Sequence, residues 1–316
     1  MTAQLDPEAE GLLEVMRALG TPPPYTLAVN DAREQARAAL VTRGEPIPIY
    51  GVEDISLPTP NGGLAMRLYR PAEGMLPMAL FLHGGGWTLN DLDTHDRLCR
   101  LIARRSKWLV ASLDYRRAPE HKHPAALEDA HIAYRWLSDN AERIEGIRSR
   151  VALVGESSGA TTAACLGLLL RDLHAPMPTL QILAYPLTDR CGRWPSYQQR
   201  GVGYTLDRPS LQWFLDNYIP PGQDLEDPYL FPLAARDLSG LAPALVLTAE
   251  FDPLRDEGIA YAQRLEAAGV AVEHVHAGDQ MHGFLLVDRA VGKAGALIDR
   301  LADTLVEHAH VAPVRQ

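Results

Sequence analysis

Cysteine is nearly absent from this chain: only Cys99, Cys165 and Cys191 occur in 316 residues, widely separated and with no Cys-x-x-Cys pair. That excludes a disulfide framework and offers no thiolate zinc site, so buried free thiols are expected. Positive charge is short as well, with 30 Lys and Arg against 40 Asp and Glu. A net charge of −10 argues against nucleic acid or anionic membrane surfaces as partners, because both reward clustered basic side chains. Missing too are a basic and then apolar leader and any apolar run long enough to cross a membrane, so a cytoplasmic protein without integral membrane association is expected. No internal repeat or low-complexity tract interrupts the chain. Apolar side chains, by contrast, make up 47% of the residues, enough to bury one large α/β domain with an appendage, or two domains.

Asp6-Pro7 reads as a helix N-cap followed by proline at the first helical position, with Leu12, Leu13, Met16 and Leu19 at helical spacing until Gly20 and Pro22. A second helix is expected over residues 31–41. From Ile49 the pattern turns to strands over 51–57, 64–69 and 78–82, the first two joined by the turn Asn61-Gly62-Gly63. Further strands are expected over 108–115, 151–154, 179–185, 244–249 and 270–276, with helices over 124–140, from the 151–154 strand to 172, and over 292–308. Such alternation implies a mainly parallel sheet covered by helices on both faces. Residues 186–242 break the rhythm. A connection of that length inside an α/β domain is usually a functional insertion. It holds Trp194, Tyr197, Tyr204, Trp213, Phe214, Tyr218, Tyr229 and Phe231, with a helix expected over 209–218. Most of these aromatics are expected to pack the insertion against the sheet. The division that follows is N-terminal cap helices over 1–48 and a catalytic domain over 49–316, with a cap insertion at about 187–225.

The strand Val151-Ala152-Leu153-Val154 delivers Ser157 into the frame Gly155-Glu156-Ser157-Ser158-Gly159, the sequence form of a nucleophile elbow. Small residues flank such a serine because the chain turns sharply from strand to helix. A serine hydroxyl needs a base within hydrogen-bond reach, itself oriented by an acid. Asp252 follows the strand 244–249, with Glu250 and Asp256 near enough to compete. His282 lies in the loop after the strand 270–276, where His274 and His276 are the bland alternatives. Both positions fall at carboxyl ends of strands, where reactive groups gather in open parallel sheets. The order Ser157, Asp252, His282 is that of an α/β-hydrolase triad. His83-Gly84-Gly85-Gly86-Trp87 follows another strand, and its glycines let backbone N–H groups approach a reacting carbonyl closely.

The chain resembles the hormone-sensitive-lipase-like family of α/β-hydrolase esterases through four segments: 83–87, Asp114-Tyr115-Arg116-Arg117-Ala118-Pro119-Glu120-His121, 155–159, and 252–257 with His282-Gly283-Phe284. The resemblance implies a serine carboxylesterase for short- to medium-chain acyl esters, needing no metal or organic cofactor, with a homodimer as a possible assembly. It also implies an oxyanion hole made of the N–H groups of Gly85, Gly86 and Ser158, with His83, Gly84 and Glu156 in support. Alanine is usual in the family where Ser158 stands, and leucine where Arg117 stands. An arylformamidase-like amide hydrolase shares the glycine loop, and a non-catalytic small-molecule binding protein of this fold typically lacks the base.

Overall fold

The run Met78-Ala79-Leu80-Phe81-Leu82 has no polar face, and it forms a strand buried on both sides. In the computed structural model, which describes residues 3–39, 45–59, 62–190 and 192–309, it belongs to an eight-stranded sheet. The strands are β1 (Gly51–Thr59), β2 (Gly62–Arg70), β3 (Leu76–Leu82), β4 (Leu109–Leu113), β5 (Gly146–Glu156), β6 (Gln181–Ala184), β7 (Ala244–Phe251) and β8 (Val272–Met281). Their spatial order is β1-β2-β4-β3-β5-β6-β7-β8. The pairs β1/β2 and β2/β4 are antiparallel and the other pairs parallel.

The helices are α1 (Pro7–Ala18), α2 (Val29–Ala38), α3 (Asp96–Ser106), α4 (Ala125–Asp139), α5 (Ser158–Asp172), α6 (Ser196–Gln199), α7 (Arg208–Tyr218), α8 (Arg255–Ala267) and α9 (Gly292–His308). Side chains alternate across each strand. Met78, Leu80 and Leu82 therefore join a core layer with α4, α5 and α8, while Ala79 and Phe81 join the opposite layer with α3 and α9. Asp6 caps α1 through a 2.8 Å bond from the Glu8 N–H, and Ala9 and Leu13 of that helix pack with Phe251, Met281 and Val291. Among the described residues no helix is long and apolar enough to cross a membrane.

Several elements differ from expectation. Helices α3 and α8 were hidden in charged sequence. In α3, Arg97, Arg100 and Arg105 pair with Asp288, Asp96 and Asp299, while Leu98, Cys99 and Ile102 face the core. The final strand runs on to Met281, past Gly278, because a register shift after the Ala249/Ala277 pair, with the extra residues on β8, lets Phe251 pair with Met281. The β4 strand is shorter than residues 108–115, and the second helix starts at Val29, its expected end at Val41 lying outside the described residues. Asn61 and Cys191 also lie outside them; Cys99 and Cys165 are free and buried. The long insertion carries α6 and α7, with Tyr197, Tyr218 and Phe231 buried in the main core.

Candidate active site

Strand β5 ends at Glu156, and Ser157 then takes φ 53° and ψ −127° before α5 begins. A side chain stays in that region only where its surroundings hold it. Here the Ser157 N–H donates to the Ala184 carbonyl at 2.8 Å, and its own carbonyl accepts from the Thr161 N–H. The flanking glycines are required by contact. A Cβ on Gly155 would lie 2.4 Å from the Gly159 carbonyl oxygen, and one on Gly159 would lie 2.0 Å from that of Leu82.

Three side chains from three strand ends meet at this turn. His282 Nε2 lies 2.8 Å from Ser157 Oγ, and His282 Nδ1 lies 2.7 Å from Asp252 Oδ2. Asp252 is fully buried, and its Oδ1 accepts from the Leu254 N–H at 2.8 Å. Burial opposes charge on His282, but the charge and hydrogen bond of Asp252, with Glu156 adding to them, outweigh it and raise the imidazole pKa above its ordinary value. The competing groups are engaged elsewhere. Glu250 pairs with Arg200, Arg255 and His276, and Asp256 with Arg255 and the Ser196 N–H. His274 and His276 both meet the Thr248 hydroxyl.

The glycine loop is fixed through its carbonyls. A peptide unit is planar and trans, so holding one C=O aims the N–H of the next residue the opposite way. The Gly85 carbonyl accepts from the N–H groups of Thr88 and Leu89 at 3.1 and 2.8 Å, which sets the direction of the Gly86 N–H. The Gly84 carbonyl lies 2.8 Å from His83 Nδ1 and accepts from Asn90 Nδ2 at 3.3 Å, which sets that of Gly85. Burial, with His95 beside it, drives the His83 pKa down to about 3, so the ring is neutral and its Nδ1–H donates. The Gly84 N–H is already given to Glu156, whose Oε1 also meets His95 Nε2 at 2.9 Å. Burial works against charge on Glu156, yet the His95 bond holds its pKa below the usual value and the carboxylate stays ionised. Among the described residues, the N–H groups of Gly85 and Gly86 have no backbone acceptor, and both glycines line the cavity over Ser157.

Ser158 contributes in a way its spacing did not reveal. Its hydroxyl accepts from the Trp87 N–H at 3.2 Å and ties the glycine loop to the first turn of α5. The Trp87 ring stacks on Tyr218 at 3.9 Å, and its Nε1–H donates to Thr162. Glu257 is a further residue that the pattern left without a role. It accepts from the Tyr197 hydroxyl and the Thr188 N–H, both at 2.6 Å, and burial pushes its pKa up to about 8.

The cavity above Ser157 holds about 230 Å³ and is walled by Leu187, Leu206, Leu211, Phe214 and Leu286. A larger hollow of about 1000 Å³ lies beside Arg116, His123 and Asp227 and touches none of the Ser157, Asp252 and His282 set. Size therefore does not mark the site; convergent polar chemistry does. Among the described residues no group of three or more His, Cys, Asp or Glu side chains is placed to hold a metal ion.

Residues 79–286 match the family described as alpha/beta hydrolase fold. The chain belongs to that family. This α/β hydrolase is 42% identical to the carboxylic ester hydrolase LipN of Mycobacterium tuberculosis, over 96% of this chain and 83% of that protein. It is 37% identical to the ethyl acetate hydrolase of Pseudomonas putida, over 94% of this chain and 96% of the relative. A solved structure of an ester hydrolase from the metagenome of Lake Arreo, complexed with a bipyridine phosphonate derivative, superposes with a TM-score of 0.93 at 36% identity, covering 96% of this chain and 99% of the other. The expected fold and family likeness are borne out.

Proposed function

We propose that this α/β hydrolase is a serine carboxylesterase that cleaves short- to medium-chain acyl esters through an acyl-enzyme on Ser157. The observation that carries the reading is the unbroken chain Ser157–His282–Asp252, whose serine and histidine line a small apolar cavity together with Gly85 and Gly86, two residues whose N–H groups have no backbone acceptor among the described residues. The ester hydrolases among its relatives support the same class. In this reading His282 Nε2 takes the Ser157 proton as the hydroxyl attacks the acyl carbon, then returns it to the leaving alcohol. Water activated by the same nitrogen releases the acid. Asp252 keeps the Nδ1–H tautomer and stabilises the imidazolium. Gly85, Gly86 and Ser158 donate backbone N–H groups to the oxyanion, each donor contributing roughly 3 kcal/mol to the transition state.

The cap comprises residues 1–48 and the insertion at about 187–225: Pro24 from the former and Leu206, Leu211 and Phe214 from the latter border the cavity. A volume of about 230 Å³ lies below the range of roughly 300–1,000 Å³ common for drug-sized ligands, which favours small esters. Hydrolysis of p-nitrophenyl esters from acetyl to palmitoyl tests the reading. Saturable turnover peaking at short or medium chains is expected; turnover of formamides without any of esters would replace it with amide hydrolysis.

Activity should fall in acid. Catalysis needs neutral His282, and Asp252 and Glu156 raise its pKa against the opposing effect of burial. The acid limb of kcat/KM should therefore be centred above the ordinary histidine value of about 6.5, and a flat profile from pH 5 to 8 would contradict the role of the imidazole. Ser158→Ala should remain active, because the donor is its backbone N–H. Loss of the bond from the Trp87 N–H costs about 1 kcal/mol, so kcat should drop less than about tenfold. A collapse as deep as that of the Ser157 variant would mean that the nucleophile is misassigned.

A further inference from the structure

The turn that aims the two glycine donors is itself held from outside by arginines. Thr88 supplies an N–H to the Gly85 carbonyl, and its hydroxyl donates to the Gly86 carbonyl at 3.0 Å. The Thr88 carbonyl accepts from Arg33 Nε, on the N-terminal helix α2, at 2.9 Å. The same guanidinium donates through Nη2 to the Ala118 carbonyl at 2.8 Å, and through both terminal nitrogens to the Glu120 carboxylate at 2.8 and 2.7 Å. Ala118 returns the link, its N–H donating to the Trp87 carbonyl at 2.8 Å. At the other end of the turn, Arg117 donates to the Asn90 carbonyl at 2.5 Å, while the Asn90 side chain donates to Gly84. Asn90 has φ 65°, a conformation its neighbours must maintain. The side chain of Arg33 is only 17% exposed, unlike the ordinary surface ion pair that contributes little.

We propose that Arg33 and Arg117 are positioning residues for the oxyanion donors, acting through Thr88 and Asn90 on the Gly84–Gly85 and Gly85–Gly86 peptides. Helix α2 contributes no side chain to the cavity lining, yet it braces the groups that meet the developing negative charge. The rigid fork of a guanidinium suits this work, since it reaches carbonyls on two segments and a carboxylate at once, which a lysine ammonium cannot do. Arg117 thereby gains a role at a position where the family commonly has leucine. The proposal rests on the esterase reading of the Ser157 site.

The test compares wild type with Arg33→Met, Arg33→Lys, Arg117→Met and the double Met variant on p-nitrophenyl butyrate, with melting temperatures measured alongside. Each single Met variant should lose about tenfold in kcat with KM changed less than about twofold, as misplacement of groups remote from the chemistry does. Arg33→Lys should recover part of the loss. The double variant should lose less than the product of the singles, because both arginines hold one turn. Rates of phosphonylation of Ser157 by a p-nitrophenyl alkylphosphonate, read by intact mass, should fall in parallel, since the phosphoryl oxygen would use the same donors. This second readout separates the two ideas: if the wild-type protein is phosphonylated but turns over no ester, the esterase reading fails while the labelling rates still judge the arginines. Unchanged kcat and labelling in folded variants would overturn the proposal, and so would losses confined to KM or to melting temperature. Absence of labelling in the wild type would overturn both.

Discussion

Ser157→Ala is expected to reduce ester hydrolysis about a millionfold, to the limit of detection, while leaving the fold intact. The substitution removes only a hydroxyl from a residue whose Cβ is already accommodated at φ 53°. Its backbone bonds to Ala184 and Thr161 are unaffected, so the melting temperature should stay within a few degrees of wild type. Ser158 is a poor substitute nucleophile, because its hydroxyl is engaged with the Trp87 N–H. Initial rates on p-nitrophenyl butyrate decide the matter: residual activity within tenfold of wild type would remove Ser157 from the mechanism.

The second large effect is expected at Asp252. In Asp252→Asn one amide face must meet His282 Nδ1 while the other meets the Leu254 N–H, two contacts now served by acceptor oxygens at 2.7 and 2.8 Å. If the amide oxygen keeps the Leu254 bond, the NH2 group faces Nδ1 and forces the proton onto Nε2, where it points at the serine instead of accepting from it. A loss of about 10⁴ in kcat is the measure of that tautomer error in serine hydrolases. Because Asp252 is fully buried, the near-isosteric amide is a cleaner change than alanine, which would leave a void. A loss smaller than tenfold would point to another carboxylate, and Glu250 and Asp256 would be the variants to make next.

Much of this site was legible in the chain because its chemistry imposes local sequence constraints. Gly155 and Gly159 are dictated by backbone contacts within a few residues of Ser157 or with the adjacent β3, so the elbow carries its own signature. Asp252 follows the apolar run 244–249, and His282 follows a strand in which valines are interleaved with Glu273, His274 and His276. The rest depended on contacts that leave no local trace. The continuation of β8 to Met281 comes from pairing with β7 across a register shift, which no pattern within 270–281 reveals. Helix α3 was masked because its half-buried arginines find acidic partners on other segments as well as within the helix. The Ser158 hydroxyl, Arg33 and Arg117 act on a loop many residues away, and a one-dimensional reading sees only a departure from the usual residue type at 158 and 117 and nothing at all at 33. Packing is the expected role of most aromatics in the insertion, and Tyr197, Tyr218 and Phe231 play it, whereas Phe214 reaches the cavity and touches the glycine loop. A Cβ on Gly86 would meet the Phe214 ring at 2.2 Å, so these two positions constrain each other.

The carboxylates around Asp252 also decide how modular the insertion is. Ser196 donates to the Pro253 carbonyl at 2.6 Å and receives Asp256 on its N–H, Tyr197 donates to Glu257, and Arg200 pairs with Glu250. The first turns of the insertion are thus stitched to the residues on either side of Asp252. A chimera that imports a foreign insertion as a cassette would leave Glu257 buried without its tyrosine and would loosen the loop that carries Asp252. Exchange of substrate range between relatives by this route therefore requires residues 250–257 to travel with the insertion, two stretches distant in sequence that form one unit of inheritance.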